Sequence, residues 1–205
     1  MDNLQCKRAQ IPAPATFSVL CGVGAITKTL TGILERQGFR SDPAASLAII
    51  LDSPCGFLPY TLARLEAPPS FLIAVTWSFC PEYWEDLWDL RPDVLVVADG
   101  FELDMAHLMS LAAKGARYRI TPDTPSLLTP AERRLLRLIA YGQTNRQIAE
   151  QISMQQQTVK NTLTTTYKKL GLRNRTEAVL YYWGVWHVFA RRTHSTRTQY
   201  PGRVN

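Results

Sequence analysis

The chain has 205 residues, 46% of them hydrophobic, so it is long enough to bury a substantial core in one or two domains. Its charge is divided unevenly: residues 1–123 carry 10 basic and 14 acidic side chains, whereas residues 124–205 carry 13 and 3. This asymmetry favours two domains and predicts a polyanionic partner for the second one.

Several classes of protein are disfavoured by composition alone. No apolar run approaches the ~20 residues that span a bilayer, and the opening MDNLQCKRAQ lacks the apolar stretch of a signal peptide. The four cysteines form no CxxC pair and no Cys/His zinc pattern; they are Cys6, Cys21, Cys55 and Cys80. We therefore predict a protein of the reducing cytoplasm, with idle thiols, no metal and no other cofactor.

Apolar segments of strand length alternate with helical segments through the first half of the chain. The strands are almost continuously apolar, which is typical of parallel strands buried on both faces. After a leader at residues 1–15, this alternation predicts a doubly wound α/β domain at residues 16–115. The predicted strands are 17–21, 46–53, 70–78 and 92–100, and the predicted helices are 25–37, 57–65, 82–90 and 103–114.

Two polar residues end neighbouring strands of this domain, Asp52 in LDSP and Thr76 in AVTW. With the order of elements, they resemble the receiver domain of bacterial response regulators. In that family an aspartate after the third strand accepts phosphate and two acids after the first strand hold Mg²⁺. A Thr or Ser and a Lys end the fourth and fifth strands. The resemblance makes Asp52 the candidate phosphate acceptor and Thr76 the matching hydroxyl.

Other parts of the receiver pattern have no counterpart here. The first strand is followed by CGVGAI, which contains no carboxylate for a hard cation, and the strand at 92–100 ends in Val97, Ala98 and Asp99 instead of a lysine. Phosphoryl transfer depends on such charge neutralisation. Residues 38–46 are also too few for a full second strand and helix. We predict a shortened, flavodoxin-like, degenerate receiver, in which Asp52 is more simply a turn or cap residue.

The helix after Thr76 is unusually aromatic, with Tyr83, Trp84, Leu87 and Trp88 on one face. Core packing is the simplest interpretation of this face. The alternative is dimerisation, because receivers often pair through this helix, the following strand and the last helix. The sequence leaves both interpretations open.

The second half of the chain begins after a proline-containing segment. Residues 116–126 are predicted to be a linker, residues 127–187 to be an all-α domain of four short helices, and residues 188–205 to be a flexible basic tail. Thr144 and Gln147 have the spacing of a capping box at the second helix.

The third of these helices, at about 156–170, has a narrow apolar stripe and an otherwise polar surface. The stripe consists of Val159, Leu163, Tyr167 and Leu170, and no acidic residue occurs from Gln151 to Arg175. Lysines can neutralise phosphates and amides can read base edges, so a helix-turn-helix unit is favoured over a solvated helical bundle.

Five short motifs support this interpretation: LTPAE, GxTNxxIA, TVKN, KKLG and RNRTEA. They are similar to the LuxR/GerE-type DNA-binding domain, in which the third helix enters the major groove and the fourth pairs two subunits. The resemblance implies that Lys160, Asn161 and Thr164 face bases. It implies phosphate contacts from Thr144, Asn145, Thr158, Lys168 and Lys169. Gln155 replaces the usual Ser or Thr cap, at a cost of ~1 kcal/mol of helix stability.

Together the two domains resemble the NarL/FixJ class of response regulators. We therefore predict a non-enzymatic, dimeric, sequence-specific transcriptional regulator of double-stranded DNA, with a protein or small-molecule input at the N-terminal domain and no Mg²⁺-dependent phosphorylation. One alternative is a conventional regulator phosphorylated on Asp52. Another is an adaptor that recruits a protein through its aromatic helix and binds DNA nonspecifically.

Overall fold

The structure is a computed structural model that describes residues 16–99 and 103–185. The chain divides into two compact units, Met1–Thr129 and Pro130–Asn205. The predicted leader and tail lie outside the described residues. The predicted domain boundaries stay a prediction, except where a strand lies within the predicted linker.

In the described part of the first unit, six parallel strands form one sheet in the order β2-β1-β3-β4-β5-β6, which confirms the predicted α/β class. The strands are β1 (Thr16–Cys21), β2 (Arg40–Ser41), β3 (Leu47–Leu51), β4 (Phe71–Thr76), β5 (Val94–Val97) and β6 (Tyr118–Ile120). The helices are α1 (Gly24–Arg36), α2 (Phe57–Leu62), α3 (Pro81–Asp89) and α4 (Met105–Ala113).

The sheet is buried on both faces, as the continuous apolar strands predict. Every residue of β3 and β4 is buried. Alternate residues such as Ile49 and Ile73 pack in one core with Leu34 of α1 and Met109 of α4. Because side chains alternate along a strand, their neighbours face the opposite side, where α2 and α3 contact β3 and β5.

Two elements at the edges of the sheet decide how far the receiver resemblance extends. The edge strand β2 has two residues and no helix separates it from β3, as expected for a shortened receiver. At the other edge, residues 118–120 belong to β6, so the prediction of a linker at 116–126 is wrong for these residues. Arg119 binds Glu85 of α3 at 2.7 Å, and Arg117 lies over the Trp88 ring.

The second unit contains four described helices: α5 (Pro130–Ala140), α6 (Asn145–Gln151), α7 (Gln156–Lys169) and α8 (Arg175–Tyr182). Helix α5 packs against α7 and α8, and α6 packs against α7. The fully buried side chains include Leu136, Ile139, Ile148, Val159 and Tyr182. Within residues 16–99 and 103–185, no helix is long and apolar enough to cross a membrane.

Candidate nucleic-acid interface and the Asp52 site

Helix α7 is held in its unit by a buried stripe that differs slightly from the predicted one. Val159 and Leu163 are buried as expected, but Tyr167 is only half-buried and Thr166 is fully buried. The Thr166 hydroxyl donates to the carbonyl of Thr162 at 2.9 Å, so burial leaves no hydroxyl proton without an acceptor. A threonine can therefore occupy a position that an apolar pattern does not predict.

The ends of the helices are defined by side-chain caps. Thr144 and Gln147 form the predicted capping box, and Asn174 accepts a hydrogen bond from the Glu177 amide at 2.9 Å. Gln155 makes no side-chain cap at the start of α7, as its residue type predicts. Gly171 ends α7 with φ +65°, a conformation that costs glycine little.

The three predicted base-reading residues lie together on the exposed surface of α7. Lys160, Asn161 and Thr164 are all exposed, opposite the buried stripe. The Thr164 hydroxyl donates to the Lys160 carbonyl at 2.9 Å. The Asn161 side-chain oxygen accepts a hydrogen bond from the side-chain amide nitrogen of Gln157 at 2.9 Å. Gln157 was not among the predicted residues, although its position four residues before Asn161 would allow this pairing.

The five predicted phosphate contacts have different surroundings. Thr144, Thr158 and Lys168 are exposed, and Asn145 is half-buried. The fifth, Lys169, is exposed but already paired with Glu132.

Lys169 is tied to the first helix of its unit. Its ammonium lies 2.8 Å from both carboxylate oxygens of Glu132, which is 8% exposed. Such a nearly buried carboxylate needs a charged partner, and this pair joins the end of α7 to the start of α5. The geometry gives Lys169 a structural role; its contact with phosphate stays a prediction.

The acidic side chains of residues 130–185 are all neutralised within the unit. Against nine basic residues there are three acids, and the ion pairs are Glu132 with Lys169, Glu150 with Arg146, and Glu177 with Arg173. Lys160 and Lys168 have no ion-pair partner among the described residues. The surface of α7 is therefore available to an anion along its length.

The RNRTEA motif also connects α8 to α5. The Arg175 guanidinium donates to the carbonyl of Ile139 in the last turn of α5 and to that of Gln143 in the loop after it, and the Trp183 indole donates to the carbonyl of Ala140 at 3.2 Å. Carbonyls in the last turn of a helix have no partner within the helix, and the Trp183 indole supplies one for Ala140. Arg175 is thus a structural residue of the motif, which sequence spacing alone does not show.

In the first unit, Asp52 is the centre of a buried hydrogen-bond network. One carboxylate oxygen accepts from the amides of Gly56 and Leu58, both at 2.9 Å. The other accepts from the hydroxyls of Thr76 at 3.0 Å and Tyr83 at 2.8 Å. Asp52 is 3% exposed. Burial raises the pKa of its carboxyl group, and these hydrogen bonds oppose that rise.

The network gives Asp52 the role of a turn and cap residue. Its amide contacts lie at the start of α2, and both oxygens are occupied by donors from the protein itself. A phosphorylated aspartate has to expose an oxygen to the incoming phosphate, and this carboxylate is enclosed. Phosphorylation of Asp52 stays untested, and the geometry argues against it.

Gly22 is closely packed in the loop after β1, where the receiver resemblance expects the acids that hold Mg²⁺. The Gly22 amide donates to the Ser53 carbonyl at 2.9 Å, and a β-carbon on Gly22 would lie 2.7 Å from the Pro54 ring. An acid therefore does not fit at this position. No cluster of His, Cys, Asp or Glu suited to a metal occurs in the described ranges.

A receiver has a lysine at the end of its fifth strand, and neither β5 nor β6, the last strand of this sheet, is followed by one. The sheet ends at β6, which is followed by Thr121 and Pro122. Ala98, after β5, donates its amide to the Thr76 carbonyl at 2.8 Å, and Asp99 follows it. Neither strand end supplies a cation beside Asp52.

The aromatic face of α3 belongs to the core. Tyr83, Trp84 and Leu87 are at most 2% exposed, and the Trp84 indole donates to the Ser78 carbonyl at 2.7 Å. Trp88 is half-buried beneath Arg117. Core packing is confirmed for Tyr83, Trp84 and Leu87. Pairing of two subunits through this helix stays an untested alternative.

The described cysteines are free thiols. Burial raises the pKa of Cys55 to about 12, with Asp52 contributing as a nearby negative charge. Burial also raises the pKa of Cys80. Both thiols are protonated at neutral pH and therefore poor nucleophiles, as the prediction of idle thiols requires.

A parallel α/β unit with a receiver-like order of strands, followed by a helix-turn-helix unit, defines the two-domain architecture of response regulators. Residues 126–182 match the family described as "Bacterial regulatory proteins, luxR family". This part of the chain is thus a luxR-family helix-turn-helix domain.

Curated relatives match part of the chain. DevR/DosR of Mycobacterium tuberculosis, a DNA-binding transcriptional activator, is 38% identical over 79 residues, which cover 38% of this chain and 36% of DevR/DosR. YvfU of Bacillus subtilis is 30% identical over 115 residues, covering 53% of this chain and 58% of YvfU. The putative regulator Rv0890c of M. tuberculosis is 35% identical over 83 residues, which cover 40% of this chain and 9% of Rv0890c. The chain thus spans about a third or less of two of these relatives.

Solved structures share the fold of most of the chain. RcsB of Salmonella enterica serovar Typhimurium, bound to promoter rprA, aligns with a TM-score of 0.53 and 18% identity. The alignment covers 82% of this chain and 98% of RcsB. A structure of two RcsB dimers bound to two parallel DNAs aligns with the same TM-score and 17% identity, with the same coverage of both chains. At these identities the similarity shows the fold alone.

Proposed function

We propose that the protein is a cytoplasmic, non-enzymatic transcriptional regulator that binds specific double-stranded DNA as a homodimer, with α7 in the major groove. The observation that carries this proposal is the exposed surface of α7, which presents Lys160, Asn161, Thr164 and Lys168 and no acidic residue. The luxR-family match and the promoter-bound RcsB structure support it.

The residue types on α7 suit two kinds of contact, one with DNA bases and one with the DNA phosphate backbone. A lysine can donate to guanine O6 and N7, and an asparagine amide matches the N6 and N7 edge of adenine. Lys160 and Asn161 suit these roles because both are exposed and adjacent. Lys168 lies two turns further along α7, where a cation can neutralise phosphate.

We expect Lys160→Ala and Asn161→Ala each to relax base preference and to cost ~1–3 kcal/mol of discrimination at one base pair. Lys168→Ala should weaken binding to all sequences about equally and reduce the salt slope by about one. Affinities measured for a panel of duplexes at several salt concentrations separate the two effects. If all three variants affect every sequence equally, the assigned docking is wrong.

Selection of binding sites from random DNA tests the proposal as a whole. A dimeric regulator should enrich a motif with two-fold symmetry, because paired recognition helices read two related half-sites. An adaptor that binds DNA nonspecifically should enrich none. The burial of Tyr83 and Trp84 argues against the adaptor alternative, which needs an exposed aromatic face on α3.

We further propose that the first unit acts without Mg²⁺-dependent phosphorylation, through dimerisation, a protein partner or a small ligand. After incubation with acetyl phosphate and Mg²⁺, intact mass spectrometry should find no added phosphate, because Asp52 is enclosed and Gly22 has no room for a side chain where the receiver resemblance expects an acid. A conventional receiver treated in parallel is the positive control. Stoichiometric phosphate on Asp52 would contradict the proposal and favour the conventional regulator.

A further inference from the structure

We infer that a groove in the first unit binds a small apolar molecule that carries one carboxylate; this inference rests on the proposed control of that unit by a small ligand and names the class of ligand. The groove lies between the end of α2, the segment before β4 and the loop after α3. Its volume is about 300 Å³, at the lower end of the range for small-molecule sites. Its apolar lining includes Pro59, Leu62, Pro68, Pro69 and Leu90.

The apolar walls of the groove are already formed. Three of the lining residues are prolines, whose rings fix the backbone φ angle, so the walls lose little conformational freedom when a ligand binds. Leu62 is half-buried, and Leu90 is 39% exposed despite its large apolar side chain. A ligand in the groove would remove this apolar surface from water, which favours an occupant with an aliphatic part.

The charge of the groove favours an anionic end on that occupant. Among the described residues that line it, Arg91 is the only basic one, and within this part of the chain its side chain has no ion pair and no hydrogen bond. The other charged lining residue, Asp93, is 2% exposed, and its carboxylate accepts from the Leu72 amide at 2.8 Å. The exposed charge is therefore positive, and a guanidinium pairs well with a carboxylate.

Arg91 also occupies a backbone position that favours glycine. It follows the C-terminal cap of α3 with φ +59°. In the same unit, α1 and α4 are followed by Gly38 and Gly115 in this left-handed conformation. The conformation is unfavourable for arginine because of its β-carbon. A side chain that is present against the preference of the backbone argues for a role in binding.

Titration of the full-length protein with octanoate, followed through amide chemical shifts in NMR spectra, tests the inference. We expect saturable shifts at the amides of Leu62 and Arg91. A parallel titration with 1-octanol supplies the same aliphatic chain without the charge. The ratio of the octanoate affinity to the octanol affinity measures the preference for the anion, because the apolar contribution is common to both ligands.

Arg91→Gly should lower this ratio about fivefold, because it removes a charged partner that is partly exposed to water. The same variant should unfold at a higher urea concentration than the wild type, so that weaker binding cannot result from unfolding. Arg64→Ala is the matched control, because it removes the same charge from a guanidinium that lies over the Tyr60 ring, outside the lining. It should leave the ratio unchanged.

Ala63→Phe tests the location, because Ala63 lines the groove and is exposed. The added ring should weaken the binding of both ligands. Absence of saturable shifts in the wild type, an equal effect of Arg91→Gly and Arg64→Ala on the ratio, or unchanged binding to Ala63→Phe would each overturn the inference. The proposed DNA-binding function is tested separately by site selection: a protein that enriches a two-fold motif but binds no octanoate contradicts this inference alone.

Discussion

Replacing Asp52 by alanine should destabilise the α/β unit by about 3–5 kcal/mol, because the change leaves three buried donors without their acceptor. These donors are the Leu58 amide and the hydroxyls of Thr76 and Tyr83. The Gly56 amide also loses Asp52 but keeps the Tyr83 hydroxyl oxygen as an acceptor at 3.1 Å. Hydrogen exchange followed by mass spectrometry measures the loss in the first unit separately from the second. The start of α2 should lose protection first, while α7 should remain unchanged.

Asp52→Asn is the matched variant that distinguishes a structural carboxylate from a phosphate acceptor. Its retained oxygen can still accept from Gly56 and Leu58, and the hydroxyl groups of Thr76 and Tyr83 can turn to accept from the new amino group. We expect a smaller loss of stability than in Asp52→Ala. If Asp52→Ala unfolds at the same denaturant concentration as the wild type, the proposed structural role is wrong.

Introducing an acid at Gly22, as a receiver would need for its metal, should cost about 3 kcal/mol of stability and create no Mg²⁺ site. A β-carbon there would lie 2.7 Å from the Pro54 ring, 2.8 Å from the Ser53 carbonyl oxygen and 2.9 Å from the Phe57 ring. Gly22→Asp should therefore unfold at a lower urea concentration than the wild type, with or without Mg²⁺.

Gly24 provides the control within the same loop. A β-carbon on Gly24 has nothing within 4 Å, and the residue begins α1. Gly24→Ala should therefore be neutral or stabilising by up to about 1 kcal/mol. If Gly22→Asp is as stable as the wild type and gains stability from Mg²⁺, the metal position is open and the receiver is less degenerate than its packing indicates.

The sequence predicted the elements that repeat a pattern over many residues. Continuous apolar runs identified β3, β4 and β5, and four-residue spacing identified the buried Val159 and Leu163. Strand β6 was missed because three residues are too few to show a period, and its neighbouring prolines indicate a linker.

Contacts between distant parts of the chain could not be predicted in the same way. Tyr83 binds Asp52 from 31 residues away, and Lys169 binds Glu132 from 37 residues away. Residue types alone show that an acid or a lysine has a partner, but the fold decides which one. The hydrogen bond between Gln157 and Asn161 could have been predicted, because four-residue spacing on a helix places two side-chain amides next to each other.

The ion pair between Lys169 and Glu132 changes how the salt dependence of DNA binding should be interpreted. The slope of affinity against salt counts the small ions that are released when protein cations replace them at the phosphates. Lys169 already has a fixed counter-ion, which its own fold supplies through both carboxylate oxygens. While that pair persists, binding of Lys169 near a phosphate releases no additional small ion from the DNA. The slope of affinity against salt therefore counts fewer lysines than α7 contains.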